Sequence, residues 1–147
     1  MKKKILVILG GISKEREISL KSAKACVKAI KALKYKVQLF DPAKIHFSKL
    51  KNYKADLIFN SLHGKDGEDG IAQSYFEYLK IPYTHSGVIS SFNAMNKLIS
   101  KEIFTRNNIK TPKFLPIKKT EYKTKKIQKI LNSKKINYPI VLKPINE

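Results

Sequence analysis

The sequence predicts an α/β fold built on a doubly wound, mostly parallel sheet. Three observations carry that expectation. Lys4–Leu9 is a continuous apolar run, the pattern of a strand buried on both faces. Strand-like and helix-like segments then alternate in the order strand, helix, strand, strand, helix, strand. Finally, glycine-bearing segments, Gly10-Gly11 and Gly64–Gly70, follow the first and third apolar runs. That is where open parallel sheets bind ligands, beyond the carboxyl ends of their strands.

Each element has its own signal. Gly10-Gly11 breaks the first strand, and Ser13 can cap a helix over about residues 14–33, with Glu15 and Glu17 in its first turn. Ile18, Ser22, Cys26, Ala29, Ile30 and Leu33 form the stripe expected to face the core. Lys36–Phe40 is a second strand, closed by Asp41-Pro42. A weak strand or turn is expected near Ile45–Leu50, and Asp56–Asn60 is a third strand. Gly64–Gly70 leads into a helix over Ile71–Leu79, with Glu68 and Asp69 in its first turn. Ile81–Thr84 ends the unit as a short strand. Helices are expected over Val88–Met95 and Lys97–Arg106, then an extended piece from Thr111 to Pro116. A lysine-rich helix over about 120–132 and a strand over Tyr138–Pro144 follow. The change of character near Asn96 places a domain boundary between 1–95 and 96–147.

The 31 basic and 11 acidic residues leave a net charge of +20, which invites a nucleic-acid reading. Only Arg16 and Arg106 are arginines, the lysines are scattered, and no nucleic-acid motif is present, all of which argue against it. The densest stretch holds eight lysines between Lys118 and Lys135 and fits the wet face of a helix. No apolar run reaches the roughly 20 residues that span a bilayer. The first strand runs into charged residues with no small-residue cleavage pattern, so a cytoplasmic location is expected. Cys26 is the sole cysteine, which excludes an intrachain disulfide.

Paired glycines permit positive φ and close backbone approach, and the helix start after Gly11 and Ser13 offers free amides. Glu15 brings a carboxylate to the same place, either to complement the helix dipole or to hold a ligand ammonium. The spacing is not that of a dinucleotide fingerprint. His63 can donate to a ligand carboxylate or exchange a proton near neutral pH; its alternative role is a structural hydrogen bond. Glu68 and Asp69 read as helix-start acids.

The ordered motifs carry a resemblance. His63-Gly64-Lys65-Asp66-Gly67-Glu68-Asp69-Gly70-Ile71-Ala72-Gln73 resembles the amino-terminal signature of D-alanine–D-alanine ligases. Gly10-Gly11-Ile12-Ser13-Lys14-Glu15-Arg16-Glu17-Ile18-Ser19 is similar to that family's opening motif. Tyr83–Gly87 and Met95-Asn96-Lys97 match two further landmarks in the right order. Val141-Leu142-Lys143-Pro144 resembles the strand that enters the ATP-grasp fold. The resemblance implies a Rossmann-like pre-ATP-grasp substrate domain followed by the start of an ATP-grasp domain. The implied reaction uses ATP to phosphorylate one D-alanine carboxylate. The amine of a second D-alanine then attacks the acyl phosphate, giving the dipeptide used in peptidoglycan.

By the same resemblance, Glu15 holds the first substrate's ammonium and His63 lies beside its carboxylate, with Gly11 and Ser13 in the substrate site. Lys97 and Lys143 face the ATP phosphates, as compact point charges suit phosphate. A homodimer is implied as well. Two positions depart from the family pattern: His85 stands where glycine is usual, and Asn96 where aspartate is usual. The family's Mg²⁺ ligands lie in sequence beyond the match to Glu147, so no metal site is expected here, and the 147-residue chain alone is expected to be inactive. The rival readings are a basic nucleic-acid-binding module and a non-catalytic protein that binds a D-amino acid.

Overall fold

The computed structural model describes residues 2–123 and 127–146. The chain falls into two compact units, Met1–Met95 and Asn96–Glu147. The first is built on three parallel strands, β1 (Lys4–Ile8), β2 (Lys36–Phe40) and β3 (Leu57–Asn60), in the order β2-β1-β3. Ile5 pairs with both Val37 and Leu57, and Ile8 with both Phe40 and Asn60. A single parallel bridge from Ile58 to Tyr83 continues the sheet. The expected Ile81–Thr84 strand is thus reduced to one bridge.

The alternation of side chains along β1 builds two cores. Leu6 and Ile8 face a cluster with Phe40, Leu50, Ile58 and Phe76. Ile5 and Val7 face the opposite side with Ala23 of α1 (Arg16–Ala32). Burial on both faces explains why β1 is apolar throughout.

Helix α1 starts two residues later than its sequence implies, with Glu15 at the N-cap; Ser13 does not cap it. Its buried positions are Ser19 and Ala23, with Val27 and Ile30 packed beside them. The predicted stripe is therefore rotated. Ile18 and Leu33 are exposed, and Cys26 is only half-buried. The fully buried residues of α1 are small, which apolarity alone did not signal. The Ile45–Leu50 region is not a strand but enters a 3₁₀ helix, Phe47–Tyr53, whose first turn is capped by His46 through Ser48 N–H. It buries Phe47 and Leu50 against Phe40 and Tyr75.

Helix α2 (Ile71–Tyr78) follows Gly70, which sits at φ +95°. Glu68 and Asp69 precede the helix instead of forming its first turn. Asp69 accepts from Asp66 N–H and Ile71 N–H. Helix α3 (Val88–Met95) completes the unit. Before it, His85 has φ +91°, a backbone that glycine adopts freely and other residues adopt at a cost. That accounts for the glycine usual at this place. His85→Gly should raise stability by about 1 kcal/mol, read as a higher urea midpoint.

In the second unit, α4 (Lys97–Arg106) is capped by Asn96, whose side chain accepts from Leu98 and Ile99 N–H at 3.1 and 3.0 Å. Asparagine performs the cap as aspartate would, which explains that departure. Helices α5 (Lys119–Lys123) and α6 (Ile127–Ser133) occupy the lysine-rich stretch; the part of the expected helix at 124–126 lies outside the described residues. Tyr138–Pro144 is not a strand. Among the described residues the only ladder contact nearby is the antiparallel bridge Asn96–Asn146, and Val141 and Leu142 are exposed. An apolar extended segment becomes a strand only when a neighbour takes its hydrogen bonds.

Candidate functional site

Parallel pairing of β1 with β3 brings the two glycine-bearing segments side by side. Ser61 N–H donates to Ile8 C=O at 2.9 Å, so the chain leaving β3 runs beside the chain leaving β1. Buried Ser19 ties them together: its hydroxyl accepts from Gly10 N–H at 2.8 Å and donates to Ser61 C=O at 2.6 Å. Ser13 adds a second tie, donating to His63 C=O at 2.7 Å while accepting from Glu15 N–H at 3.1 Å.

Gly11 and Ser13 therefore spend polar groups on the protein itself. Gly11 N–H donates to Asp41 at 3.1 Å, and its carbonyl accepts from Arg16 at 2.8 Å. Glu15 behaves differently. It occupies the N-cap yet makes no capping hydrogen bond with its side chain. Its carboxylate lies over Gly64 instead: a Cβ added there would meet Glu15 Oε2 at 2.7 Å. Gly64, at φ +68°, is thus required both for its backbone and for the space above it.

His63 sits between these parts. Its Nδ1 is 3.8 Å from Glu68 Oε1, and Glu68 Oε2 accepts from Gly64 N–H at 2.8 Å. Glu68 so braces the His63–Gly64 turn, a role beyond the helix-start acid expected of it. His63 Nε2 is buried and has no hydrogen-bond partner. Below the turn, Gly67 C=O accepts from Asn60 Nδ2 at 2.9 Å and from Gln73 Nε2 at 2.8 Å. A cleft of about 270 Å³ opens beside it, lined by Glu68, Gln73, His85 and Ser90 among others.

Sequence reasoning missed the part played by Asp41, taken only as the end of a strand. Arg16 grips it with both nitrogens, Nη1 to Oδ1 at 3.0 Å and Nη2 to Oδ2 at 2.7 Å. The Arg16 guanidinium, followed by the amides of Gly11 and Ala43, holds the Asp41 carboxyl below its ordinary 3.8. The pair's stabilisation is complete above pH 3.8 and is lost as pH falls through the lowered value. Asp41→Asn should therefore flatten the acid limb of a stability–pH profile below pH 3.8, measured as urea midpoints.

In the second unit, Lys97 opens α4 and its N–H donates to Ile145 C=O at 2.9 Å. Lys143 lies exposed three residues before Asn146, the partner of Asn96. The two lysines thus flank one backbone bridge. Among the described residues no group of three or more His, Cys, Asp or Glu side chains is arranged to hold a metal ion. No helix of the described residues is long and apolar enough to cross a membrane.

No family model matches the chain. Curated relatives do. A D-alanine–D-alanine ligase of Pelagibacter ubique is 49% identical over 148 aligned positions, which take in 100% of this chain and 48% of that protein. One of Wolbachia sp. subsp. Brugia malayi is 46% identical over 143 residues, 97% of this chain and 40% of its own length. Among solved structures, the D-alanine–D-alanine ligase of Bacillus anthracis complexed with ATP superposes with a TM-score of 0.78 at 31% identity, covering 98% of this chain and 48% of that one. The chain spans about half the length of the curated relatives it matches or less. In sequence and in fold, it is a homologue of the amino-terminal portion of the D-alanine–D-alanine ligases.

Proposed function

We propose that this chain supplies the first D-alanine's half-site, and part of the phosphate-binding surface, for ATP-dependent D-alanyl-D-alanine synthesis in the cytoplasm. One observation supports it most. An uncommitted carboxylate, Glu15, and a buried, unpartnered imidazole nitrogen, His63 Nε2, stand at one glycine turn. An α-amino acid carries the matching pair of groups. Its ammonium suits Glu15, and its carboxylate suits an N–H from His63 Nε2. Gly11, Ser13 and Gly64 form the wall, and Glu68 braces His63.

Lys97 and Lys143 are the residues suited to ATP phosphates in the second unit. Nucleotide supplies the phosphoryl group that activates a carboxylate. The described residues do not fit a Mg²⁺ site, so no step through the metal is assigned to them. Residues 1–95 act as the substrate domain and 96–147 as the beginning of an ATP-grasp domain, and the protein is expected to pair as a homodimer.

The test is a titration of the ¹⁵N-labelled chain with D-alanine. Amide shifts should concentrate at Glu15, His63 and Gly64, and Glu15→Gln should weaken binding about tenfold, the worth of a charged hydrogen bond. L-alanine should shift the same amides less. Equal affinity of Glu15→Gln and the parent chain for D-alanine would refute the assignment.

A further inference from the structure

The Arg16–Asp41 pair lies outside every residue assigned above to substrate, yet it is built around the residue next to Glu15. Arg16 returns its guanidinium to the carbonyl of Gly11, closing the 11–16 segment into a loop. The same guanidinium takes both oxygens of Asp41, which stands just past the end of β2. Asp41 Oδ1 also accepts from the amides of Gly11 and Ala43. The clamp thus holds Gly11 by both its polar groups. It sits tight against Gly10, where an added Cβ would meet Arg16 Nη1 at 2.6 Å and Asp41 Oδ1 at 2.8 Å. A fork of this kind fixes direction as well as distance, which a lysine could not do.

The pair also settles a charge conflict. Arg16 is the immediate neighbour of Glu15, and an arginine without a partner would turn toward that carboxylate or repel an approaching ammonium. Asp41 is only 14% exposed and takes that charge in a two-point contact.

We infer that Arg16 and Asp41 are positioning residues: they fix the loop from Gly10 to Glu15 and keep the Glu15 carboxylate free for a substrate ammonium. The inference rests on the reading of Glu15 as the ammonium's partner, and it predicts that Asp41 acts on ligand binding chiefly through Glu15.

A double-mutant cycle on the 147-residue chain tests it, with D-alanine affinity read from NMR shifts in the parent, Asp41→Ala, Glu15→Gln and the double variant. Asp41→Ala should weaken D-alanine about tenfold in the parent background and by less than about twofold when Glu15 is already glutamine. Asp41→Asn, which keeps the side-chain shape, serves if the alanine variant fails to fold, and the same pattern is expected of it. Arg16→Lys should recover only part of the affinity lost in Arg16→Ala. If Asp41 replacement weakens D-alanine equally in both backgrounds, or leaves the parent affinity unchanged, the inference falls while the substrate reading stands. A parent chain that shows no response to D-alanine overturns the substrate reading and the inference with it.

Discussion

Replacing Gly67 with alanine should cost about 3 kcal/mol of stability, seen as a lower urea midpoint with an unchanged slope. Gly67 has no positive φ to explain it; the reason is space. A Cβ there would collide with Leu62 Cβ and stand 3.1 Å from the Leu62 backbone carbon. Leu62 is buried at 3% exposure and cannot swing aside. The Gly67 carbonyl is also the anchor for buried Asn60 and Gln73. Any shift that relieves the collision lengthens those two hydrogen bonds, and Asn60 in turn holds Leu62 N–H at 3.2 Å. Because the turn from His63 to Glu68 hangs from this carbonyl, the D-alanine binding proposed for this chain should be lost in the variant before the fold is. A midpoint within error of the parent would show that the turn is softer than its packing implies.

Ser19→Ala should cost about 2–3 kcal/mol, since it leaves both Gly10 N–H and Ser61 C=O without their buried partner. The cavity left by one oxygen is too small to explain a loss of that size, so the effect is attributable to the two orphaned groups. Ser19→Cys, which keeps a weak donor and acceptor, should recover part of it. Urea unfolding of the three proteins decides the matter: equal midpoints for Ser19→Ala and the parent would mean that water reaches the junction.

Much of this architecture was legible in the sequence. Strands β1 and β2 and the two helices flanking Asn96 fall where apolar runs, alternation and capping residues put them, because those signals are local. Convergence of Gly10–Glu15 with His63–Gly70 was also legible, because parallel strands must deliver their carboxyl ends to one edge. What was not legible depends on partners distant in sequence. Ser13 has the residue type of a cap, but α1 starts only at Arg16, and the Ser13 hydroxyl instead donates to His63 C=O, 50 residues away, and accepts from Glu15 N–H ahead of the helix. Asp41 looked like punctuation because nothing local points to Arg16, 25 residues away. Ser19 and Ala23, small and unremarkable in an apolar count, are the buried face of α1. The segment 138–144 has the composition of a strand, and among the described residues no neighbouring strand pairs with it.

Glu15 sits where a helix start is best served by serine, threonine, aspartate or asparagine, and its side chain leaves the capping hydrogen bond unmade. Position 15 is consequently a place where robustness and chemistry pull apart. Selection for folding alone would exchange glutamate for a shorter residue that caps α1, and the exchange would empty the space above Gly64. A library screened only for thermal stability should drift away from glutamate at 15, whereas one screened for amino-acid binding should hold it against that drift.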